Sequence, residues 1–243
     1  MVELVRDGGV ARIFLNRPQK VNALDSALLE ALASTLDSLS ADPALRVVVL
    51  AGRGKAFCGG ADIDEMAGLD ARSARDFITR IHRVCDAARR LPVPVVAQLH
   101  GAVIGAGLEL AASCDLRIAA DGTRFAMPEV RLGIPSVVEA ALLPRLVGSG
   151  RAAWLVLTGE PIDAQRAYEW GLIEALCAEP ELDGEVDRIV RSLLEGEREA
   201  LRVQKELLQA WEERPLSSAI PLSIERFAQA YAKAVPNRLL GKR

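Results

Sequence analysis

Two glutamates, Glu109 and Glu129, stand twenty residues apart in a stretch dominated by small and apolar residues. Glu109 lies in HGAVIGAGLELAASCD (100–115) among Ala, Leu and Gly. A carboxylate in such company needs a partner or a task, because burying an unpaired charge is expensive. The plain alternative is a helix-start carboxylate that complements the helix dipole. Glu129 follows Pro128 in FAMPEVRLG (125–133), on a loop after a strand. Alone it would be an ordinary turn residue; beside Glu109 it supplies the second carboxylate that acid–base chemistry on a water molecule requires. Two glycine-rich turns accompany the pair. RGKAFCGGAD (53–62) runs from an apolar strand into a helix start, and Gly105-Ala106-Gly107 opens the segment that carries Glu109. Glycine lets backbone approach a ligand, and free N–H groups at a helix start suit a negatively charged oxygen. Strand-to-helix turns also carry glycine for packing alone. Ala106 and Glu109 are three residues apart, so a backbone donor and a carboxylate address the same small volume.

The elements that must position these groups are legible from periodicity. Glu3 to Arg6 and Val10 to Leu15 read as strands turned by Asp7-Gly8-Gly9. Ser26 to Leu39 has leucines at helical spacing after an Asp25 or Ser26 cap. Arg46 to Leu50, Val93 to Leu99 and Leu116 to Ala120 read as strands, and Ala71 to Arg90 and Gly105 to Ser113 as helices. Beyond Pro144 the pattern is helical apart from Leu172 to Cys177. The tail from Leu182 to Lys233 forms three amphipathic segments parted near Gly196 and Pro215. The fold class is therefore α/β, with a core at 1–180 and a helical region at 181–243.

With 243 residues, half of them apolar, and a net charge of -3, the chain has material for a large core. Disorder, a collagen-like repeat and a disulfide scaffold are excluded by composition. The slightly acidic balance speaks against a nucleic-acid binder. Cys58, Cys85, Cys114 and Cys177 are far apart and read as small buried residues of a reducing compartment. Polar residues interrupt the most apolar stretch, Leu91 to Ala120, before it reaches membrane-span length, and no signal-peptide pattern opens the chain. A cytoplasmic protein is expected. His82 and His100 have no third ligand nearby, so no metal is expected, and Ser113 and Ser136 lack a His–Asp set. Trp154, Trp170 and Trp211 read as core or interface anchors, Trp211 as the most exposed. The arginine row of 72–90 reads as a solvated face or subunit contact, or else as a site for RNA or a phosphate-bearing ligand.

These segments resemble, in this order, the crotonase superfamily, also called the enoyl-CoA hydratase/isomerase family. IFLNRPQKVNAL (13–24), VVVLAGRGKAFCGGADIDEM (47–66), PVVAQLHGAVIGAGLELAASCDLRIAA (94–120), FAMPEVRLGIP (125–135), LPRLVG (143–148) and GEPIDAQRAYEWGLIEAL (159–176) match its blocks. The resemblance implies a spiral of β-β-α units with a C-terminal helical trimerisation region, assembled as a homotrimer or dimer of trimers. It implies an acyl-CoA substrate, no cofactor beyond the coenzyme A carried by that substrate, and an oxyanion hole from the N–H groups of Ala61 and Ala106. Lys20, Val21, Ala23, Asp62, Ile63 and Asp64 would line the coenzyme A channel, although relatives often carry Lys or Arg at the position of Asp64. Glu129 would be the acid that protonates the α-carbon, and Glu109 would orient and activate the water. Both glutamates together point to an enoyl-CoA hydratase, a hydro-lyase acting on trans-2-enoyl-CoA. The alternatives are an enoyl-CoA isomerase, another enolate reaction, or a silent acyl-CoA-binding relative.

One stretch departs from the family. Hydratases carry a glycine-rich PGAGG-type turn where this chain has Pro135-Ser136-Val137-Val138-Glu139-Ala140. Pro135, Val138 and Glu139 are therefore candidate acyl-pocket residues, with Phe227 and Tyr231 of the last helix as packing or acyl contacts. Glu139 is expected to face solvent or an arginine such as Arg145; the other reading makes it a third carboxylate beside Glu109 and Glu129.

Overall fold

The structure is a computed structural model that describes residues 1–232 and Gly241; the end of the expected C-terminal region, with Lys233, lies outside them. Two compact units are present, Met1–Leu193 and Leu194–Arg243.

In the first unit, β1 (Val2–Asp7) and β2 (Val10–Leu15) form an antiparallel hairpin about Gly8 at φ +55°. After α1 (Ser26–Ser40) come β3 (Val47–Gly52), the short α2 (Ile63–Met66) and α3 (Ala71–Arg90). Then follow β4 (Val95–Leu99), β5 (Ala102–Ile104), α4 (Ala106–Ala112), β6 (Leu116–Ala120) and β7 (Arg124–Ala126). The unit continues through α5 (Leu143–Val147), α6 (Ser149–Thr158), β8 (Ile162–Asp163), α7 (Ala164–Trp170) and β9 (Ala175–Cys177). One sheet has the order β1-β2-β3-β4-β6-β9 and is parallel from β2 onward. Its central strand β3 is buried nearly throughout, which explains an unbroken VVVLA run where alternation would mark a half-exposed strand.

A second, three-stranded sheet, β5-β7-β8, was not visible in the sequence pattern. Its strands have two or three residues each, too few to establish a period of two.

The helices obey simple end rules. The Asp25 side chain accepts from Leu28 N at 2.8 Å, which selects Asp25 as the cap of α1. On α3, Asp70 accepts from Ser73 N while Ser73 Oγ accepts from Asp70 N, a reciprocal capping pair. The apolar stripe of α3, Phe77, Ile81, Val84, Cys85 and Ala88, is buried. Several of its arginines are engaged locally: Arg80 donates to Ser26, Arg83 to Asp37 and Arg90 to Asp86. Cys58, Cys85 and Cys114 are buried, while Cys177 is only half-buried. Trp154 is as exposed as Trp211, so it is not a core residue; Trp170 is half-buried, with the Arg151 and Arg166 guanidinium groups over its ring.

α8 (Leu182–Glu195) falls almost wholly in the first unit, although the sequence pattern groups it with the C-terminal helices. The second unit holds α9 (Arg198–Glu213) and α10 (Leu216–Ala232), joined by Arg226 to Glu206 and by Trp211 Nε1 donating to Ser223 Oγ at 2.9 Å. Phe227 and Tyr231 pack against one another within α10, their rings tilted by 53° with centroids 5.2 Å apart. Among the described residues no helix is long and apolar enough to cross a membrane.

Candidate active site

Three loops converge through backbone hydrogen bonds. Phe57 N donates to His100 O, Cys58 N to Ala102 O, and Ile104 N back to Cys58 O at 2.8 to 3.1 Å, so the glycine-rich loop is pinned along β5. Leu24 N donates to Gly60 O and Asp62 N to Leu24 O, which ties the 17–24 loop to the same point. Gly60 sits at φ +99°, and a Cβ there would meet Ile104 O at 2.8 Å and Ala106 N at 3.8 Å. Only glycine allows this approach. It brings the chain just before Ala61 against the start of α4, where Ala106 lies.

Among the described residues neither the Ala61 N–H nor the Ala106 N–H donates to a protein acceptor, whereas the amides of Asp62 and Gly105 are bonded. Ala106 is buried and Ala61 half-buried. Buried amides are normally paired, so the open N–H of buried Ala106 stands out, and the Gly60 contact brings the chain before Ala61 to the same point.

Residues that sequence reasoning missed hold these loops. Asn22 is fully buried at φ +54°, a conformation asparagine tolerates. Its Nδ2 donates to Arg53 O, Ala56 O and Phe57 O, and its Oδ1 accepts from Arg17 N. Arg17 pairs with buried Asp62, bonds Ala23 O at 3.0 Å and reaches Asp25 at 3.2 Å. The Arg17 hydrogen bond, outweighing burial, holds the Asp62 carboxyl below its usual range. The signal for both was present in the NRPQKVNALD run (16–25), but only tertiary contacts reveal which polar residues turn inward. Val21 and Ala23 are half-buried on this loop, and Lys20, Ile63 and Asp64 are exposed at its rim. Lys20 Nζ and Asp64 are 2.5 Å apart, so the unexpected acid at 64 neutralises the lysine beside it.

The carboxylates meet at α4. Glu109 is buried, and its Oε1 accepts from Ala140 N at 3.2 Å. Glu129, on a 3-10 turn over 129–132, places Oε1 where a Cβ on Gly105 would come within 2.4 Å. Glycine at 105, at φ +53°, is what admits it. Ser136 Oγ donates to Glu129 Oε2 at 2.8 Å, a role for Ser136 that spacing alone did not suggest. Burial pushes the Glu109 carboxyl up to about 8, helped by the charges of Glu129 and Glu139 and opposed by the Ala140 N–H.

Glu139 corrects an expectation. It faces neither solvent nor Arg145: it is 8% exposed, and its Oε1 lies 2.7 Å from His82 Nδ1 on α3. The 3-10 turn over 138–142 that carries it packs against both α3 and α4, which leaves its side chain no route outward. Burial raises the Glu139 carboxyl, and His82 opposes that rise. Val138 precedes it at φ +42°, where a β-branched residue is disfavoured and glycine is at ease. Pro135 is exposed and Val138 half-buried on the same turn.

Residues 6–236 match the enoyl-CoA hydratase/isomerase family. The chain belongs to that family. Crotonyl-CoA hydratase of Syntrophomonas wolfei is 33% identical over 231 residues, covering 94% of this chain and 89% of that protein. Short-chain-enoyl-CoA hydratase of Clostridium acetobutylicum is 32% identical, covering 95% and 89%. The crystal structure of enoyl-CoA hydratase from Mycobacterium smegmatis superposes with a TM-score of 0.92 at 35% identity, covering 94% of this chain and 90% of that one. Pseudomonas aeruginosa DspI gives 0.94 at 30% identity, covering 100% and 94%. The fold is thus crotonase-like, with a helical C-terminal region.

Proposed function

We propose that this crotonase is an enoyl-CoA hydratase that adds water across the double bond of a trans-2-enoyl-CoA. The observation that carries the reading is the pair Glu109 and Glu129 set against Gly105, one residue before the open N–H of Ala106. The thioester oxygen accepts from Ala61 and Ala106, whose N–H groups are held in place before the reaction and stabilise the charge that grows on that oxygen. Water sits between the two carboxyls. Its oxygen bonds the β-carbon, the π electrons move toward the thioester, one carboxylate takes the water's proton, and the other carboxyl gives a proton to the α-carbon.

Lys20, Val21, Ala23, Asp62, Ile63 and Asp64 would flank the coenzyme A moiety, with the Lys20–Asp64 pair leaving little net charge for a phosphate. No cofactor besides that coenzyme A is needed. The relatives named for crotonyl-CoA and short-chain substrates support a short acyl group. We further assign a cytoplasmic homotrimer or dimer of trimers, with Phe227 and Tyr231 as packing or acyl-contact residues. The turn around Glu139 favours isomerisation as the second reading, because it adds a carboxyl near the pair.

Crotonyl-CoA tests the reading by the loss of its enoyl absorbance. Turnover by the native protein is expected, with Ala106→Gly mild and Ala106→Pro, which removes the N–H, slower by about a hundredfold or more. No absorbance change with short enoyl-CoAs, or equal damage from both variants in folded protein, contradicts it.

A further inference from the structure

Glu109 and Glu129 are held by one short stretch of chain, each through a single oxygen. Ser136 Oγ donates to Glu129 Oε2 at 2.8 Å, and the Ala140 N–H, on the turn that follows, donates to Glu109 Oε1 at 3.2 Å. Among the described residues no protein donor reaches Glu129 Oε1 or Glu109 Oε2. Each carboxyl therefore keeps one oxygen for another partner. Glu129 Oε1 lies against Gly105, one residue before the open N–H of Ala106.

We propose that Ser136 is a positioning residue for Glu129, its hydroxyl fixing Oε2 so that Oε1 stays turned toward the water site beside Ala106. The proposal rests on the hydratase reading. The backbone of the glutamate's turn is secured by other means. Arg131 N donates to Pro128 O at 2.9 Å, Ile134 N to Glu129 O at 3.2 Å, and Arg131 Nε to Thr158 O at 2.8 Å. Gly133, at φ +79°, turns the chain back, which carries Ser136 to the carboxyl seven residues behind it. None of these bonds fixes the side-chain torsions of Glu129, which is only half-buried. Ser136 is the one side chain among the described residues that bonds its carboxyl. The glycine-rich turn of hydratases offers no side chain at this place, where this chain supplies a hydroxyl. A hydroxyl both donates and accepts, so it grips a carboxylate and a carboxylic acid alike. The grip therefore holds through a proton transfer in either direction. Orientation of a reacting group is worth rate, because a misplaced group must be brought into line within the barrier.

Kinetics on crotonyl-CoA with Ser136→Ala, Ser136→Thr and the double variant Ser136→Ala/Glu129→Gln test this. Ser136→Ala should lose about five- to tenfold in kcat, the scale of one hydrogen bond, with the affinity for butyryl-CoA and the urea midpoint unchanged. Ser136→Thr keeps the hydroxyl and should restore kcat to within about twofold. In the Glu129→Gln background, Ser136→Ala should cost less than about twofold more, since the group it orients no longer acts. A crystal structure of Ser136→Ala should show the Glu129 carboxyl in more than one orientation. If Ser136→Ala does not fold, Ser136→Gly gives the same reading. Native kcat in Ser136→Ala, a loss carried by butyryl-CoA affinity, or the full loss repeated in the Glu129→Gln background overturns the proposal. Absence of crotonyl-CoA turnover by the native protein overturns the hydratase reading instead. The crystal structure then decides the positioning role, and an unmoved Glu129 carboxyl overturns it.

Discussion

Arg117 and Glu139 are both ionisable side chains enclosed by the first unit, each paired with a residue that reaches solvent, yet they are satisfied very differently. Arg117 donates from Nε to Leu172 O at 2.8 Å, from Nη1 to Cys114 O at 2.7 Å and from Nη2 to Glu174, whose other oxygen accepts from Arg117 N. Every branch of the guanidinium has a partner, and the contacts join β6 to the chain entering β9. Glu139 has one partnered oxygen and one orphan, on a turn that also strains Val138. The first arrangement is what selection for stability produces. The second gives up stability, and a site that gives up stability next to the proposed catalytic carboxyls is a candidate for function.

Substitution should separate the two regions by sign. Arg117→Met keeps the length of the side chain and leaves the carbonyls of Leu172 and Cys114 without donors. At about 1–3 kcal/mol for each unsatisfied buried group, a loss of about 3 kcal/mol is expected in urea unfolding. An unchanged midpoint would remove the structural half of the comparison. Glu139→Leu replaces the orphaned carboxyl by an apolar group of similar size, and its partner His82 is half-exposed and stays hydrated. Unfolding should show a gain of about 1 kcal/mol at neutral pH. A loss as large as that of Arg117→Met would make Glu139 an ordinary structural acid.

The difference between the regions also explains what could be read from sequence. The β1–β2 hairpin, the α1 and α3 stripes and the buried β3 run follow from local periodicity, and each agrees with the structure. The glycines at 59 and 60 were expected to let backbone approach a ligand; at 60 the structure places Ile104 O, and the space beside Gly105 is filled by Glu129. Contacts between distant segments were not legible. Nothing in spacing tells that His82, in an arginine-rich helix, meets Glu139 across fifty-seven residues, or that Asn22 turns inward to three carbonyls. Glu139 was expected to find solvent or Arg145 because most helical charges do; packing of its turn between α3 and α4 decides otherwise.

The central claim is that Glu109 and Glu129 act on one water above the Ala61 and Ala106 donors. Turnover of crotonyl-CoA by Glu109→Gln and Glu129→Gln, beside the affinity of each variant for saturated butyryl-CoA, tests it most directly. Each variant is expected to lose about a hundredfold or more in kcat, the scale for a positioned acid or base, with butyryl-CoA affinity nearly unchanged. Near-native kcat in both variants, or a loss carried wholly by butyryl-CoA affinity, would contradict the account.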